Sequence, residues 1–540
     1  SHAGVGVAVA VNSVEAGFDA HIAGSVTAAT IALTAGSAAG TTSTFAATAV
    51  SGAGATDLGA AGAFAADFSD LDATASVGDG SVVTGPTRLT ITAALDSDHA
   101  ASALSNLDDG ASTRLGIGAS IALIELDDDT TATLGGGVTI TSLSGLTMSA
   151  TGSHSATSTT EAGGAADVAI TPTLALNVST ADSRIDMPTG AALTVSGAVT
   201  LTATHDILAS AAADGSAQGS AGAAGAAIAL NLVHDTAEVV PGRALTAGSE
   251  VRYAADLVVD ALAAAAAAAS GFAAASGGPT SAGGQTGAAA AYGNAMSGGR
   301  ANSALPSMPS AAGTGGTTQI GVAAALASNL VDGGARAVIA ADTPVTSTRR
   351  VTVASAADID VDATADASAT ESDVGVGAAV AVNEIDAENV ALIEGTVSAK
   401  GITVSAGMSS RDDGSDSFGA YVISGAGADT VGVAGALAYQ HAALDTTAEI
   451  RTAVDPRRGD VTVSATSIHD AVTSASGLLP TDDDPSVGVG ASLAIADFDL
   501  DATARIGDGI GLAASGAINL AALTITDSEV YAQAGGAGGI

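Results

Sequence analysis

The sequence predicts an all-β fold, a parallel β-solenoid (β-helix) built from nine repeats of about 55 residues. Three observations predict it. One strand-like motif recurs along the chain, every copy is followed by the same order of β-like runs, and the composition favours a thin interior. The 540 residues include 69 glycines, only 2% aromatic residues, and no tryptophan or cysteine. Small residues that alternate with β-branched ones, bounded by Gly, Asp and Asn, are typical of strands.

The recurring motif is clearest in VGVGAAVAVN at 374–383 and AGVGVAVAVN at 3–12. Seven of the eight steps between copies fall within 53–57 residues, and the fifth is 98; the copies begin at 4, 59, 116, 169, 223, 321, 375, 432 and 488. A regular period of this length indicates repeats that bury their apolar faces against their neighbours. Glycine and β-branched residues disfavour helix in these runs. Only the alanine-rich stretch 260–276 stays open to a helical interpretation.

Each repeat continues in a fixed order after its opening strand. A polar stretch precedes a second β-like run such as LDATASVGDG, then come a turn rich in Gly, Asp and Pro, a third run such as RVTVASAAD, and a looser Ala/Ser/Thr segment. Asparagine ends five opening motifs and suits a corner, because it tolerates left-handed geometry and bonds local backbone. These predicted corner residues are Asn12, Asn177, Asn231, Asn329 and Asn383.

Two points of architecture stay open at this level. One repeat forms either one wide coil or two coils of about 27 residues, so nine repeats rise by roughly 45 Å or twice that. An array of small antiparallel β-sandwich units is the alternative fold. We expect one continuous solenoid, part of a longer chain, with repeats 1–5 in 1–269, an inserted Gly/Ala/Ser-rich loop in 270–316 and repeats 6–9 in 317–540.

The charge and composition exclude several classes of function. A net charge of −41 argues against nucleic-acid partners, which require basic patches. Hydrophobic residues make up 47% of the chain, which argues against disorder. Without cysteine there is no disulfide, thiolate site or cysteine nucleophile. The apolar run 261–269 is too short to span a membrane.

The order of a VGVGAAVAVN strand, a run like ATARIGDG and then GITVSA resembles the repeat arrays of leukotoxin-like filamentous adhesins and other giant bacterial surface proteins. The resemblance covers essentially all of the chain outside 270–316. It implies an extracellular or surface-attached structural shaft without catalytic residues. Its partners would be other copies of itself, head to tail or side by side, or cell-surface ligands. The alternatives are a Ca²⁺-dependent binding module and a β-helical polysaccharide-degrading enzyme.

Aspartates are the candidate metal ligands, with Ca²⁺ as the only cofactor considered, because Ca²⁺ takes six to eight oxygen ligands. In the segments DIDVD and DFDLD, alternation along a strand places the three aspartates of each segment on one face of that strand. Two further groups consist of three aspartates that are consecutive in the sequence. The competing interpretation is a solvated acidic face screened by salt. The residues are Asp358, Asp360 and Asp362; Asp497, Asp499 and Asp501; Asp127, Asp128 and Asp129; and Asp482, Asp483 and Asp484.

Motifs for enzymatic chemistry are absent: there is no P-loop, GxGxxG, GxSxG or HExxH sequence. Four histidines occupy similar positions in their repeats, but the intervening repeats lack them, so we predict polar corners rather than a metal ladder; they are His99, His154, His205 and His469. The insertion 270–316 carries Tyr292, Met296 and Arg300, and serves either recognition or inter-subunit contact, or is a passive loop.

Overall fold

A computed structural model describes residues 2–38, 40–85, 87–107, 114–270, 318–478 and 487–536. These residues form strands and turns without helix, and every strand pairing is parallel, which confirms the β-solenoid. The strands are β1 (Ala3–Ile22), β2 (Ser25–Thr27), β3 (Thr30–Gly36), β4 (Ser43–Ala53), β5 (Leu58–Val77), β6 (Val82–Thr84), β7 (Arg88–Leu107), β8 (Leu115–Leu134), β9 (Thr139–Thr141), β10 (Leu146–Asp186), β11 (Leu193–Val195), β12 (Val199–Val239), β13 (Leu245–Ala247), β14 (Val251–Ser270), β15 (Thr318–Ile339), β16 (Val345–Ser347), β17 (Val351–Ile393), β18 (Val397–Ser398), β19 (Ile402–Met408), β20 (Asp416–Ile450), β21 (Val454–Asp455), β22 (Val461–Leu478), β23 (Val487–Ile506) and β24 (Ile518–Ala534).

One repeat forms one wide coil. Gly4 of β1 pairs with Gly59 of β5, which pairs with Gly116 of β8. The register continues across the 98-residue step, where Ala223 pairs with Gly321. We number the coils 1 to 9 from the nine motif positions. At a spacing of about 4.8 Å they rise by roughly 45 Å, whereas a 20-residue strand such as β1 spans about 66 Å, so the described body is wider than it is tall.

Each coil has two long sides and one short side. The first sheet contains the strands that begin with the opening motif, and the second sheet contains the strands of the third run. Short strands form the third side, in the orders β2-β6-β9 and β11-β13-β16-β18-β21. At the opposite end no third side intervenes, and strands such as β10 and β12 continue from the second sheet into the first through an irregularity near Ala166. The cross-section is therefore a wedge.

The strands are longer than the sequence predicted. The opening motif, the polar stretch and the second run form one strand, as in β1, because the polar side chains simply alternate to the outer face. The closing Ala/Ser/Thr segment likewise extends the third run. The helical interpretation of 260–276 is wrong for its described part, since β14 pairs with β12 and β17 on its two sides. Residues 271–276 and, apart from Ser270, the predicted insertion 270–316 lie outside the described residues.

The core changes character along the wedge. Near the third side, large residues such as Leu89, Ile91 and Tyr253 fill the interior between three walls. Toward the narrow end of coils 3 to 8, a second cluster consists almost entirely of alanines, among them Ala229 and Ala265. Small side chains let the two sheets approach closely and still pack at protein density. The thin interior predicted from composition therefore occupies the narrow half of each coil.

The glycines of the opening motif are required by this close approach. A Cβ atom on Gly225 would lie 2.3 Å from the Ala268 carbonyl oxygen and 2.4 Å from that of Gly215. A Cβ on Gly377 would lie 2.4 Å from the Gly425 oxygen. The obstacles are backbone atoms, which cannot rotate away as a side chain can. The recurring GVG sequence therefore records steric contact between the sheets at the tip of the wedge.

We predict that Gly225→Ala lowers the free energy of unfolding by about 1–3 kcal/mol, because the added methyl group overpacks the narrow end. Gly435 is the matched control, since it lies in a first-sheet strand of coil 8 and a Cβ there meets nothing within 4 Å. Gly435→Ala should leave stability unchanged or slightly raise it. Thermal unfolding followed by circular dichroism checks both variants, and equal effects would contradict the wedge.

Candidate functional site

A column of amide side chains runs through the core of coils 4 to 7. Asn177 Nδ2 donates to Asn231 Oδ1 at 2.9 Å, Asn231 to Asn329 at 2.8 Å, and Asn329 to Asn383 at 2.9 Å. All four are fully buried. The prediction that these asparagines, with Asn12, form corners is wrong, because they point inward from the middle of continuous strands. The column separates the alanine cluster from the large-residue cluster.

The four histidines also point inward, so the predicted polar corners are wrong here too. Each is buried and lies beside a buried carboxylate. His99 Nδ1 is 3.0 Å from Asp67 Oδ2, and its Nε2 is 3.6 Å from Asp128 Oδ2. His154 Nδ1 is 3.3 Å from the same Asp128 oxygen. The other two pairs are His205 with Asp235 at 3.2 Å and His469 with Asp416 at 2.8 Å.

Asp128 carries the charge of this network. Burial would raise its pKa, but His154, His99 and Ser97 outweigh burial and hold the pKa well below its usual range. Burial would lower the pKa of His99, yet the nearby Asp128 carboxylate and the hydrogen bond with Asp67 raise it. Burial lowers the pKa of His154. The opposite shifts of His99 and Asp128 are those of two buried groups that favour each other's charged form.

The inner network fits a structural role better than a catalytic one. Its side chains lie between the two sheets and are buried. Among the described residues, the groups close enough to share a metal ion include no histidine. The hydrogen bonds link successive coils: Ser97 of coil 2 donates to Asp128 of coil 3 at 2.8 Å, and Ser179 of coil 4 donates to Asp235 of coil 5 at 3.0 Å. Such bonds fix which residue faces which across the coils.

We predict that Asp128→Asn costs about 3–5 kcal/mol of stability at pH 7, because it removes the buried carboxylate that faces His99 and His154 and accepts the Ser97 hydroxyl, and breaking a buried pair in this way is strongly destabilising. Asp127→Asn is the matched control, since Asp127 faces outward and is exposed, and it should change stability by less than about 0.5 kcal/mol. Chemical denaturation of both variants measures the difference.

Comparison of the wild type with Asp128→Asn also tests how the contribution of Asp128 to stability depends on pH. A carboxylate with a lowered pKa stabilises the fold above its unfolded pKa of about 3.9, and that contribution is lost as the pH falls further. The difference in the free energy of unfolding between the wild type and Asp128→Asn should therefore become smaller below about pH 4. A difference that persists unchanged at pH 3 contradicts the lowered pKa of Asp128.

A second polar region lies on the outer face of the second sheet, under a loop of coil 7. Ala357 pairs with Met408, but Asp360 pairs with Ser417, so three residues in coil 6 correspond to nine in coil 7. The extra residues bulge between β19 and β20 as the loop 409–415, which folds back over coils 4 to 6. Arg411 ion-pairs with Asp206 of coil 4.

The loop brings carboxylates of three coils together. One triad joins Asp260 of coil 5, Asp360 of coil 6 and Asp412 of the loop; a second joins Asp358, Asp412 and Asp413. Within each triad, the ligand oxygens all lie within 4.8 Å of one another. Asp358 is 1% exposed and Asp360 is 7% exposed. We call these five residues the acidic cluster.

Burial raises the pKa of Asp358 to about 8, with repulsion from Asp416 next in importance. Burial also raises the pKa of Asp360 well above its usual range, although hydrogen bonds from Ser417 oppose the shift. Ionised carboxylates at this separation repel each other strongly unless a cation lies between them. All ligand atoms of the cluster are oxygens, which suit hard cations.

The structure divides the predicted calcium ligands into different groups. Asp358 and Asp360 lie in the acidic cluster, whereas Asp362 is buried on the same face but belongs to neither triad. Asp497, Asp499 and Asp501 are exposed along one face of β23 and join no triad of described residues.

The triplet prediction fails for a geometric reason. Asp127 and Asp129 face outward and Asp128 faces inward, because adjacent side chains in a strand point to opposite faces. Their oxygens therefore do not converge on one ion. Asp482–Asp484 lie outside the described residues, as do Tyr292, Met296 and Arg300. Sequence reasoning missed Asp260, Asp412 and Asp413. The signal available for Asp412 and Asp413 was the acidic RDDGSD segment in a third run longer than its counterparts.

Comparison of the chain with protein-family models, curated proteins and solved structures found no match. Within the described residues, no helix has the length and apolar character needed to cross a membrane. Function is therefore inferred from the geometry of this chain.

Proposed function

We propose that this chain is a structural segment of an extracellular bacterial surface protein, an acidic shaft for adhesion, cell–cell contact or fibre assembly. The observation that carries the proposal is the continuous register of nine coils. Long first-sheet strands pair residue by residue from β1 through β23, across the 98-residue step. Neighbouring coils are joined by backbone ladders along both long sheets, a construction that resists bending between coils.

The proportions indicate what such a shaft provides. Each coil of about 55 residues adds only about 4.8 Å to the length of the solenoid, so a long shaft requires a very long sequence. Strands of about 66 Å instead give a broad body with two large flat faces. Stiffness and surface area are thus the mechanical properties that this fold supplies, and many coils must stack to form a long fibre.

Surface charge governs contacts with other copies. The net charge of −41 keeps shafts hydrated and apart until cations bridge them. Such bridging supports side-by-side contact between copies.

The polysaccharide-degrading alternative gains no support from a recess lined by charged residues on the first sheet. His234, Glu238, Asp332, Arg336 and Asp386 contribute to its lining. His234 and Asp332 are 58% and 69% exposed in their side chains, so water is not excluded. Catalytic carboxylates generally require a shielded cleft that separates their pKa values. This recess offers an open, solvated acidic surface.

Single-molecule pulling between the chain ends tests the mechanical part of the proposal. We expect discrete steps as coils peel off, each lengthening the chain by about 190 Å for a 55-residue coil, with one longer step of about 340 Å for the 98-residue coil. Release of several coils together, in multiples of these lengths, agrees with the same design. Smooth extension at low force would show loosely joined units and contradict it.

Cellular location is tested separately. Antibodies raised against this segment should label intact, unpermeabilised cells of the organism that produces it, and added protease should remove the label. Labelling that requires permeabilisation contradicts the extracellular assignment, whatever the mechanical result.

A further inference from the structure

We propose that the acidic cluster is a calcium site that fastens the loop 409–415 of coil 7 onto coils 5 and 6. The site goes beyond the shaft function and stands independently of it. Its ligands come from three places far apart in the sequence: Asp260 in β14, Asp358 and Asp360 in β17, and Asp412 with Asp413 in the loop.

Two buried carboxylate oxygens without hydrogen-bond partners point to a cation as the group that they bind. Asp358 Oδ2 accepts the Gly414 N–H at 3.1 Å, whereas its Oδ1 is buried and has no hydrogen-bond partner. Asp360 Oδ1 accepts the Ser417 N–H at 2.8 Å and its hydroxyl at 2.7 Å, whereas its Oδ2 is buried without a partner. A buried carboxylate oxygen left unsatisfied is costly, and a bound metal ion removes that cost.

The donor set selects the type of ion. All five side chains offer carboxylate oxygens, and neither triad contains histidine. Carboxylates and carbonyls suit hard cations, and Ca²⁺ accepts the irregular, six- to eight-fold coordination that residues from two strands and a loop provide. Mg²⁺ requires near-octahedral geometry and keeps several waters. The site therefore fits Ca²⁺ better than Mg²⁺ or Zn²⁺.

An ion can reach the cluster from solvent. Asp260 also lines a recess of about 280 Å³ on the outer face, together with Asp206 and Arg411. The Arg411–Asp206 ion pair anchors the loop to coil 4 at one side of this recess. Ca²⁺ would anchor it to coils 5 and 6, so the loop would clamp four successive coils together.

Calorimetric titration of the full chain with CaCl₂ in physiological salt, after removal of metal with a chelator, tests the site. We expect one saturable site, with at least about tenfold weaker binding in Asp360→Asn and in Asp412→Asn. Asp366→Asn is the matched control, since Asp366 is buried on the same strand and face but lies outside both triads, and it should bind as wild type does. MgCl₂ should bind more weakly than CaCl₂.

Limited trypsin digestion supplies a second readout at the loop itself. The Arg411 side chain is 31% exposed, and Ca²⁺ should slow cleavage after it in the wild type and in Asp366→Asn but not in Asp412→Asn. Asp412 lies in a surface loop, so this variant keeps the test valid if Asp360→Asn does not fold.

Three results would overturn the site. The first is no saturable binding by wild type up to about 10 mM, above the roughly 10⁻⁴–10⁻³ M affinities of extracellular calcium modules. The second is undiminished binding in Asp412→Asn, which would assign the ion to the acidic surface in general. The third is tighter binding of Mg²⁺ than of Ca²⁺. None of these results bears on the pulling or labelling experiments.

Discussion

The structure depends on the parallel pairing of each residue with its counterpart one coil away. Because the paired residues lie about 4.8 Å apart, every inward position becomes a column of side chains that must tolerate its own repetition. Glycine stacks on glycine at the tip, as in Gly4, Gly59 and Gly116, and asparagine stacks on asparagine in mid-strand. The repeated sequence is thus a consequence of the ladder, since a residue that fits one coil has to fit the next.

The wedge shape explains how a chain with few aromatic residues builds a stable interior. Alanine and glycine at the narrow end bring two sheets into contact, while leucine, isoleucine and valine fill the wider space near the third side. The amide column lies between these regions. An asparagine shifted by one residue along its strand would lose its partners, so the column contributes specificity of register where the small side chains contribute little.

The sequence was sufficient for the fold class and for the repeat boundaries, because period-two alternation and a constant step are both visible in the letters. The sequence was misleading about the direction in which the asparagine side chains point. Asn12 lies eight residues after Gly4, an even number that places both on the same inward face, yet polarity suggested a corner. The length of the strands was also hidden, because outward polar residues within a strand resemble a turn when read alone.

Only part of the acidic cluster could be predicted from the sequence, for a different reason. Alternation in DIDVD correctly joined Asp358 and Asp360 on one face. The partners Asp260 and Asp412 come from neighbouring coils, and only the backward fold of a loop brings them close. Local sequence carries no record of such a contact. In addition, the outer face of a strand is expected to be solvated, whereas here the loop of coil 7 contributes to its burial.

The distance between equivalent residues of separated coils tests the central claim most directly. Asp70 and Asp386 are exposed and belong to one column, five coil steps apart. Because the chain has no cysteine, spin labels on Asp70→Cys and Asp386→Cys are unambiguous. Pulsed electron spin resonance should give a narrow distribution near 24 Å. A mean near 48 Å, or a broad distribution at longer distances, would contradict one in-register coil per repeat.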